Sequence, residues 1–442
     1  MENTVCTPKS RSFSGTTVTL PTHIAGNAAL KAPIAAFCDY AKELGLEFTA
    51  GEGGIALWED PQLVEEACDI TITEDGITVS AATVKGFHNA LAILLGEIRG
   101  SGTAFSVETG HIAEAPDMPY RGLMVDLARQ KHGYAYILRY IDLCYRNRAT
   151  HLQLHFADDE SFTLPMRAFA DLSTEGKTYT KEELAIVRAY AQSRGIVLVP
   201  EIDVPGHTSQ FCLKYPALFG TQNVLPADNE VFEALRQIFT ELLELFPDSP
   251  LIHIGGDEAA IARWENCEKT QAYMRENGIA NIHEMYAEYI RIVTDMILEM
   301  GRTPVVWEGF AKEYNDRISK DVIVICWESY YQPAYDVAAA GFTVINCSWK
   351  PLYIVTPDTH WTPEEILGWN PWNWQHFWEK SVAYPDGYSI DPATSHVLGG
   401  QICAWGDRLA HYEDWEKGVK EELELIAQRL PALCKRLIDL DA

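Results

Sequence analysis

Residues 251–258 read LIHIGGDE, an apolar run that meets two glycines and then two adjacent carboxylates, Asp257 and Glu258. One acid at such a place caps a following helix. Two acids, behind a Gly-Gly pair that lets a ligand approach the backbone, point to chemistry. Neighbours on a strand project to opposite sides, so the two cannot share one job. Hydrolysis of a glycosidic bond normally needs two carboxyl groups of different pKa. For chemistry of that kind the longer Glu258 is the candidate to protonate a leaving oxygen, and the shorter Asp257 the candidate to act lower in a pocket.

Those acids need a frame, and the chain from residue 121 onward has a rhythm that supplies one. Eight short apolar runs alternate with amphipathic stretches: RGLMVDL (121–127), THLQLHF (150–156), IVLVPEI (196–202), LIHIGGD (251–257), TPVVWEG (303–309), VIVICWE (322–328), TVINCSW (343–349) and GGQICAW (399–405). Near-continuous apolar strands suit a parallel sheet covered on both faces. The stretches between them carry helical spacing and caps, as in TKEELAIVRAYAQSRG (180–195). The pattern predicts an α/β fold, a (β/α)8 barrel over residues 116–442. A doubly wound open sheet is the alternative, weakened because no GxGxxG follows the first run. Residues 1–115 lack the rhythm. CDITITEDGITVSA (68–81) reads as a hairpin around Asp-Gly, flanked by two helical stretches. A small α+β domain is expected there, with the boundary in the proline-interrupted stretch 113–120.

In such a barrel the functional groups gather where strands end. The ends offer Asp126 and Arg129; His155, Asp158 and Asp159; Glu201, Asp203 and His207; Asp257 and Glu258; Trp307 and Glu308; Trp327 and Glu328; Trp349 and Tyr353; Trp405 and Asp407. Caps and solvated charges account for one or two such ends, not for eight. Carboxylates, an arginine and several tryptophans describe a sugar pocket: indole faces stack on pyranose C–H faces while acids and arginine hold hydroxyls. The bland readings also have places. His253 is expected as a barrel-core histidine, Asp159 as a cap, and Cys326, Cys347 and Cys403 as packing. Asp126 and Glu201 are candidates for structural partners. The stretch WTPEEILGWNPWNWQHFW (361–378) holds five tryptophans, most expected to pack a long loop and one or two to reach the pocket rim.

Composition narrows the classes. The chain has 442 residues, and its 47% hydrophobic and 22% charged residues fit a globular protein rather than a disordered one. A formal net charge of −28 repels phosphate backbones and anionic membranes, so nucleic acid and membrane partners are not expected. No signal-like or membrane-spanning apolar stretch is visible. The ten cysteines show no CxxC or zinc spacing, so free thiols and a cytoplasmic location are expected.

HIGGDEA, YRGLMVDLAR, LHFADDESF, EIDVPGH, VVWEG and GGQICAWGD together resemble, in order, the strand-end motifs of family 20 glycoside hydrolases, the β-N-acetylhexosaminidases. The resemblance covers nearly the whole chain, including the small first domain. It implies a retaining exo-hydrolase that removes terminal β-linked GlcNAc or GalNAc and needs no cofactor and no metal. The substrate's acetamido oxygen attacks the anomeric carbon, so no protein nucleophile is required. It further implies that Glu258 is the acid and base, and that Asp257 holds the acetamido N–H. Tyr353 binds the acetamido oxygen, Trp307, Trp327 and Trp405 wall the pocket, and Arg129 with Asp407 grips ring hydroxyls. Asp158 and His207 match further pocket positions, and Asp203 is a candidate to orient His207 beside Glu258. The chain departs from the pattern at Asp407 (usually Glu), Val355 (often Asp or Asn) and Gln130 (often His), which leaves the sugar preference open. The partner is a glycan or glycoconjugate, and a homodimer is left open. Rival readings are a metal-dependent barrel enzyme using Asp158, Asp203, Asp257 and Glu258, and a non-catalytic sugar-binding homologue.

Overall fold

The computed structural model describes residues 5–442 except 52, 102–103, 358, 394–395 and 410–411. Eight parallel strands form a closed ring: β1 (Tyr120–Asp126), β2 (His151–His155), β3 (Val197–Glu201), β4 (Leu251–His253), β5 (Thr303–Trp307), β6 (Ile323–Cys326), β7 (Thr343–Asn346) and β8 (Val397–Trp405). Each pairs with the next, and β8 closes the ring by pairing with both β7 and β1. β7 is short. The chain re-enters the wall as Tyr353–Val355, which pairs with the outer half of β8 through Tyr353↔Cys403 and Val355↔Trp405. Tyr353 is thereby set into the barrel wall.

Helices cover the ring where the apolar spacing predicts them. Tyr134–Asn147 follows β1 and Lys181–Ser193 follows β2. Asn229–Leu245 follows β3, Ile282–Glu299 lies between β4 and β5, and Trp415–Ile438 follows β8. Thr180 and Glu183 form a reciprocal capping box, and Asn281 caps the fourth of these helices. The remaining connections are thinner than a regular (β/α)8 rhythm implies. After β5 there is a 3-10 turn (Lys312–Arg317), after β6 a six-residue helix (Ala334–Ala339), and in the loop after β7 a five-residue one (Pro363–Leu367).

Side chains alternate in and out along each strand, so every second residue faces the barrel interior. One interior layer is apolar: Met124, Val305, Ile325, Ile345, Cys347 and Cys403 pack with Tyr120. Another is polar and paired. Tyr120 Oη donates to Gln401 (2.8 Å), Gln401 to Gln153 (2.9 Å), and Gln153 to Glu201 (2.8 Å). In register, Asp126, His155, Glu201 and His253 occupy neighbouring positions around the ring. The strands thus bring their charged residues to one level, at the end from which the longer loops leave.

The first 114 residues form more sheet than the hairpin alone indicates. Cys68–Thr73 and Gly76–Ala81 do pair antiparallel, but within an eight-stranded mixed sheet that includes Ser10–Thr19, Ile55–Glu59 and Ala104–Glu114. Helices Lys31–Glu43 and Val84–Glu97 supply its apolar cover. Arg148, fully buried at the end of the first barrel helix, donates to Glu114 Oε1 at 2.7 Å and ties this layer to the barrel. Among the described residues no helix is long and apolar enough to cross a membrane. All ten cysteines are free thiols.

Ring closure leaves no room at one glycine. Gly399 on β8 has φ +148°, and a Cβ there would stand 1.9 Å from the Tyr120 carbonyl on β1. Gly399→Ala is expected to cost about 3 kcal/mol through backbone strain and lost strand pairing. Urea unfolding would measure it, and a change within experimental error would mean that the β1–β8 seam yields without cost.

Candidate active site

A cavity of about 270 Å³ opens at the strand ends, bordered by Arg129, Asp158, His207, Asp257, Glu258, Trp327, Tyr353, Trp405 and Asp407, together with His155, Asp203 and Trp349. The structure therefore gathers nine of the ten residues singled out as catalytic or sugar-binding. Trp307 does not border it. That ring lies beneath, 5.8 Å from Trp405, and its indole N–H donates to Glu201 at 2.7 Å. Its placement is support for the floor rather than wall. Val355, Thr359, Phe377 and Arg408 complete the lining. Phe377 sits inside the tryptophan-rich stretch, whereas Thr359 and Arg408 carry no signal in the sequence.

The acids diverge for a reason other than strand alternation. β4 ends at His253, and the chain then turns through Gly255 (φ 71°), Gly256 (φ 93°) and Glu258 (φ 43°). Nor do the glycines clear space for a ligand. A Cβ on Gly255 would lie 1.8 Å from Asp203 Oδ1, and Gly256 N–H donates to that same oxygen at 3.0 Å. Gly255 makes room for Asp203, and a Cβ on Gly256 would instead press on Ile290 at 3.0 Å. As a result Asp257 is buried, and its Oδ1 has no hydrogen-bond partner among the described residues. Glu258 instead stands half exposed at the mouth.

Asp158 orients His207, a role the sequence reading gave to Asp203. His207 Nδ1 faces Asp158 Oδ1 at 3.3 Å, and Nε2 faces Glu258 Oε2 at 3.4 Å. Asp158 Oδ2 is also 2.9 Å from His155 Nε2 and 3.0 Å from Arg129. His155 Nδ1 in turn lies 2.9 Å from Glu201, fully buried in the barrel. A line of alternating charge, Glu201–His155–Asp158–His207–Glu258, thus runs from the core to the mouth. Asp126 accepts the backbone N–H groups of Ala128, Arg129 and Gly406, so both its flanking loops are pinned. Its other contact is the Arg129 guanidinium (2.9 Å), which extends to Asp407 (3.6 Å) and lies 5.0 Å from the Trp405 ring. Asp159 accepts from Ser209 N–H and Oγ, at the start of a short helix. His253 is fully buried, with Nδ1 accepting the Gly255 N–H and Nε2 unpaired among the described residues.

The electrostatics follow from burial and partners. Burial lowers the pKa values of His155 and His207, but carboxylates on both sides raise them well above the usual histidine value. Burial acts to raise Asp158 and Glu201, and the flanking histidines reverse that, holding both well below the usual range. The His207 contact lowers Glu258. Burial raises Asp257 to about 7, and raises Asp203 with help from the Asp257 charge. Asp203 and Asp257 thus hold a proton between them while Glu201, Asp158 and Glu258 are ionised. Ligand atoms of Asp158, Asp159 and His207, and of Asp203, His207 and Asp257, lie close enough together to hold a cation. In both groups the side chains already have protein partners: His207 faces Asp158 and Glu258 through its two ring nitrogens, and Asp159 is engaged by Ser209.

Stability carries a pH signature of this site. Burial, then Glu258 and Asp257, push Glu328 up to about 8. Burial raises Glu308 and Glu422 as well. Each of these acids, and each raised histidine, keeps a proton when folded that the unfolded chain loses at lower pH, so its contribution falls as pH climbs through the folded value. His88, His132, His151 and His376, lowered by burial to about 4, 4, 3 and 4, act the other way, but only below the unfolded histidine value. Above about pH 6.5 the opposing histidine contribution is exhausted. The heat-unfolding midpoint is expected to fall from pH 6.5 to 8.5, and Glu328→Gln to flatten that slope. An equally steep slope in the variant would show that Glu328 is not one of the groups responsible.

The comparisons with known proteins agree with this geometry. The family model for the glycosyl hydrolase family 20 catalytic domain matches residues 118–419. A β-hexosaminidase of Vibrio furnissii is 30% identical over 416 residues, which covers 85% of this chain and 67% of that protein. A β-hexosaminidase of Akkermansia muciniphila is 27% identical, covering 79% and 76%. Among solved structures, the family 20 exo-β-N-acetylglucosaminidase of Vibrio harveyi bound to N-acetylglucosamine shares the fold with a TM-score of 0.83 at 22% identity, over 99% of this chain and 74% of that one. The β-N-acetylhexosaminidase of Bacteroides fragilis gives a TM-score of 0.81 at 20% identity, over 98% and 91%.

Proposed function

From a chain that belongs to glycosyl hydrolase family 20 and is a glycoside hydrolase, we propose a specific reaction: retaining removal of a terminal β-linked GlcNAc or GalNAc from a glycan or glycoconjugate, with the substrate's own acetamido group as nucleophile. The observation that carries this reading is Asp257. Its Oδ1 is a buried acceptor with no donor of its own among the described residues, a state that costs about 1–3 kcal/mol until a donor arrives. An acetamido N–H is such a donor. Its oxygen then points to the anomeric carbon, with Tyr353 on the wall beside it.

The steps balance on this chain's residues. The His207–Glu258 pair holds one proton. A bound sugar takes water from Glu258, whose pKa then rises, and the proton moves from His207 Nε2 to the carboxyl. The acetamido oxygen bonds to C1 as the C1–O bond breaks, and Glu258 gives its proton to the departing oxygen. Asp257 offsets the positive charge on the oxazolinium ring. Glu258, now ionised, takes a proton from water as that water attacks C1 and reopens the ring. Arg129 and Asp407 hold ring hydroxyls at the closed end, and Trp405 lies against the sugar face. The ten free thiols support a reducing, cytoplasmic location.

A p-nitrophenyl β-N-acetylglucosaminide or galactosaminide should be hydrolysed with retention, as proton NMR of the first-formed sugar would show. Replacing acetamido hydrogens by fluorine weakens the nucleophile, so the rate should fall with each fluorine; insensitivity would point to a protein nucleophile. Glu258→Gln should lose about 10²–10⁴-fold in rate, and azide should give no inverted α-glycosyl azide, the product expected when a protein nucleophile is missing. Near-wild-type turnover in that variant would place the acid elsewhere.

A further inference from the structure

A second cavity lies at the opposite end of the barrel, where β2 and β3 begin. His151 opens β2 and Val197 opens β3, and both border it together with residues of the first domain. It holds about 160 Å³. A hollow of about 260 Å³ adjoins it and shares Lys85, Gly195, Ile196 and Val197. The two make one groove along the seam between the domains. Helix Val84–Glu97 forms one side, and helices Tyr134–Asn147 and Lys181–Ser193 form the other. Nothing in the hydrolytic reading uses this groove.

Its wall carries polar atoms that the fold does not satisfy. His88 is 6% exposed and Tyr145 2%, and both border the first cavity. Yet His88 Nδ1 and Tyr145 Oη have no hydrogen-bond partner among the described residues, and neither has Arg188 Nε in the adjoining hollow. Buried polar groups are ordinarily paired, so three unmet ones on a single groove point to a ligand. The acceptors of the same wall are already spent. Glu65 faces Lys85 at 2.8 Å, Glu66 accepts from Arg121, and Asp248 lies 3.8 Å from Arg188 Nη1. Tyr145 O–H and Arg188 Nε–H are donors, and they remain without an acceptor. The local potential suits one that is negative. Burial and then Arg194 lower His88 to about 4, while burial, Arg121 and Lys85 lower His151 to about 3. Cations rather than carboxylates set the field at both rings.

We infer that this groove is a second ligand site, which takes a small molecule through an oxyanion, a phosphate or a carboxylate. The oxyanion sits where the two hollows meet, beside Lys85, with Tyr145 donating from one side and Arg188 from the other. Arg194 adds charge from within the wall, and His88 Nδ1 meets a further polar group of the ligand. The site joins the two domains and stands apart from the cavity that holds Glu258, so it is independent of the hydrolytic reading.

Isothermal titration of the full chain with inorganic phosphate, glucose 6-phosphate and glucuronate tests this, with glucose as the uncharged control. At least one of the three anions should bind saturably, one per chain, and the stronger of the two sugar anions identifies the oxyanion. Its dissociation constant should rise about ten-fold in Tyr145→Phe and in Arg188→Met, and stay unchanged in Glu258→Gln. Because Tyr145 Oη has no protein partner, Tyr145→Phe should leave the heat-unfolding midpoint of the ligand-free protein unchanged or higher. A lowered midpoint would mark the hydroxyl as structural and overturn the site. So would saturable binding of none of the anions, or glucose binding as tightly as they do. Affinity that holds in both groove variants, or that is lost in Glu258→Gln, would place the bound anion elsewhere and overturn it equally.

Discussion

A single carboxylate sealed inside the barrel sets the terms for the rest of the site. Glu201 is fully buried and ionised, so its charge needs partners close by. It takes N–H donors from Gln153 and Trp307 and stands against His155 and His253. That requirement keeps His155 protonated, which draws Asp158 in, which orients His207, which faces Glu258. The chemistry at the mouth is thus the outer end of a charge compensation that begins in the core. A neutral residue at Glu201 would leave His155 with Asp158 as its one contacting carboxylate, and the disturbance would travel outward through Asp158 and His207 to Glu258.

The barrel meets this constraint with its register. Asp126, His155, Glu201 and His253 share one level of the ring because the strands pair without slippage there. The split seventh strand adds Tyr353 to the wall opposite Cys403, two residues before Trp405 ends β8. Asp126 pins the loops on both of its sides, so Arg129 and Asp407 belong to one rigid corner. Precision here comes from strand ends and from loops tied to them.

Much of this was legible in the sequence, for physical reasons. Parallel strands buried on both faces must be apolar, so LIHIG and VIVIC stand out, and the residues just after each lie, by topology, at the site. The gaps have reasons too. Ser10–Thr19 is an edge strand made largely of Ser, Thr and Gly and is mostly exposed, so no alternation marks it, and the first sheet looked like a hairpin. Asp203 precedes His207 closely in the chain, which suggested a pair. Yet the side chain turns to the Gly255–Gly256 backbone, and Asp158, from a different strand, completes the contact. Trp307 carries the same motif letter as Trp327, but the alternation that faces it inward at β5 sets it a layer lower. The tryptophan-rich stretch divides likewise: Trp369 and Trp374 are buried and Trp378 is half-buried against Tyr330, while the residue of this stretch that borders the cavity is Phe377.

Glu258 and His207 both sit in the left-handed region, at φ 43° and 51°. Glycine or asparagine would adopt those angles with less strain. Two residues that face each other at the cavity mouth therefore both carry backbone strain, which a substitution by glycine would relieve. The same left-handed φ recurs at Arg148, Asn223 and Ser329, so what sets Glu258 and His207 apart is that two strained backbone positions hold their side chains against each other, Nε2 to Oε2 at 3.4 Å.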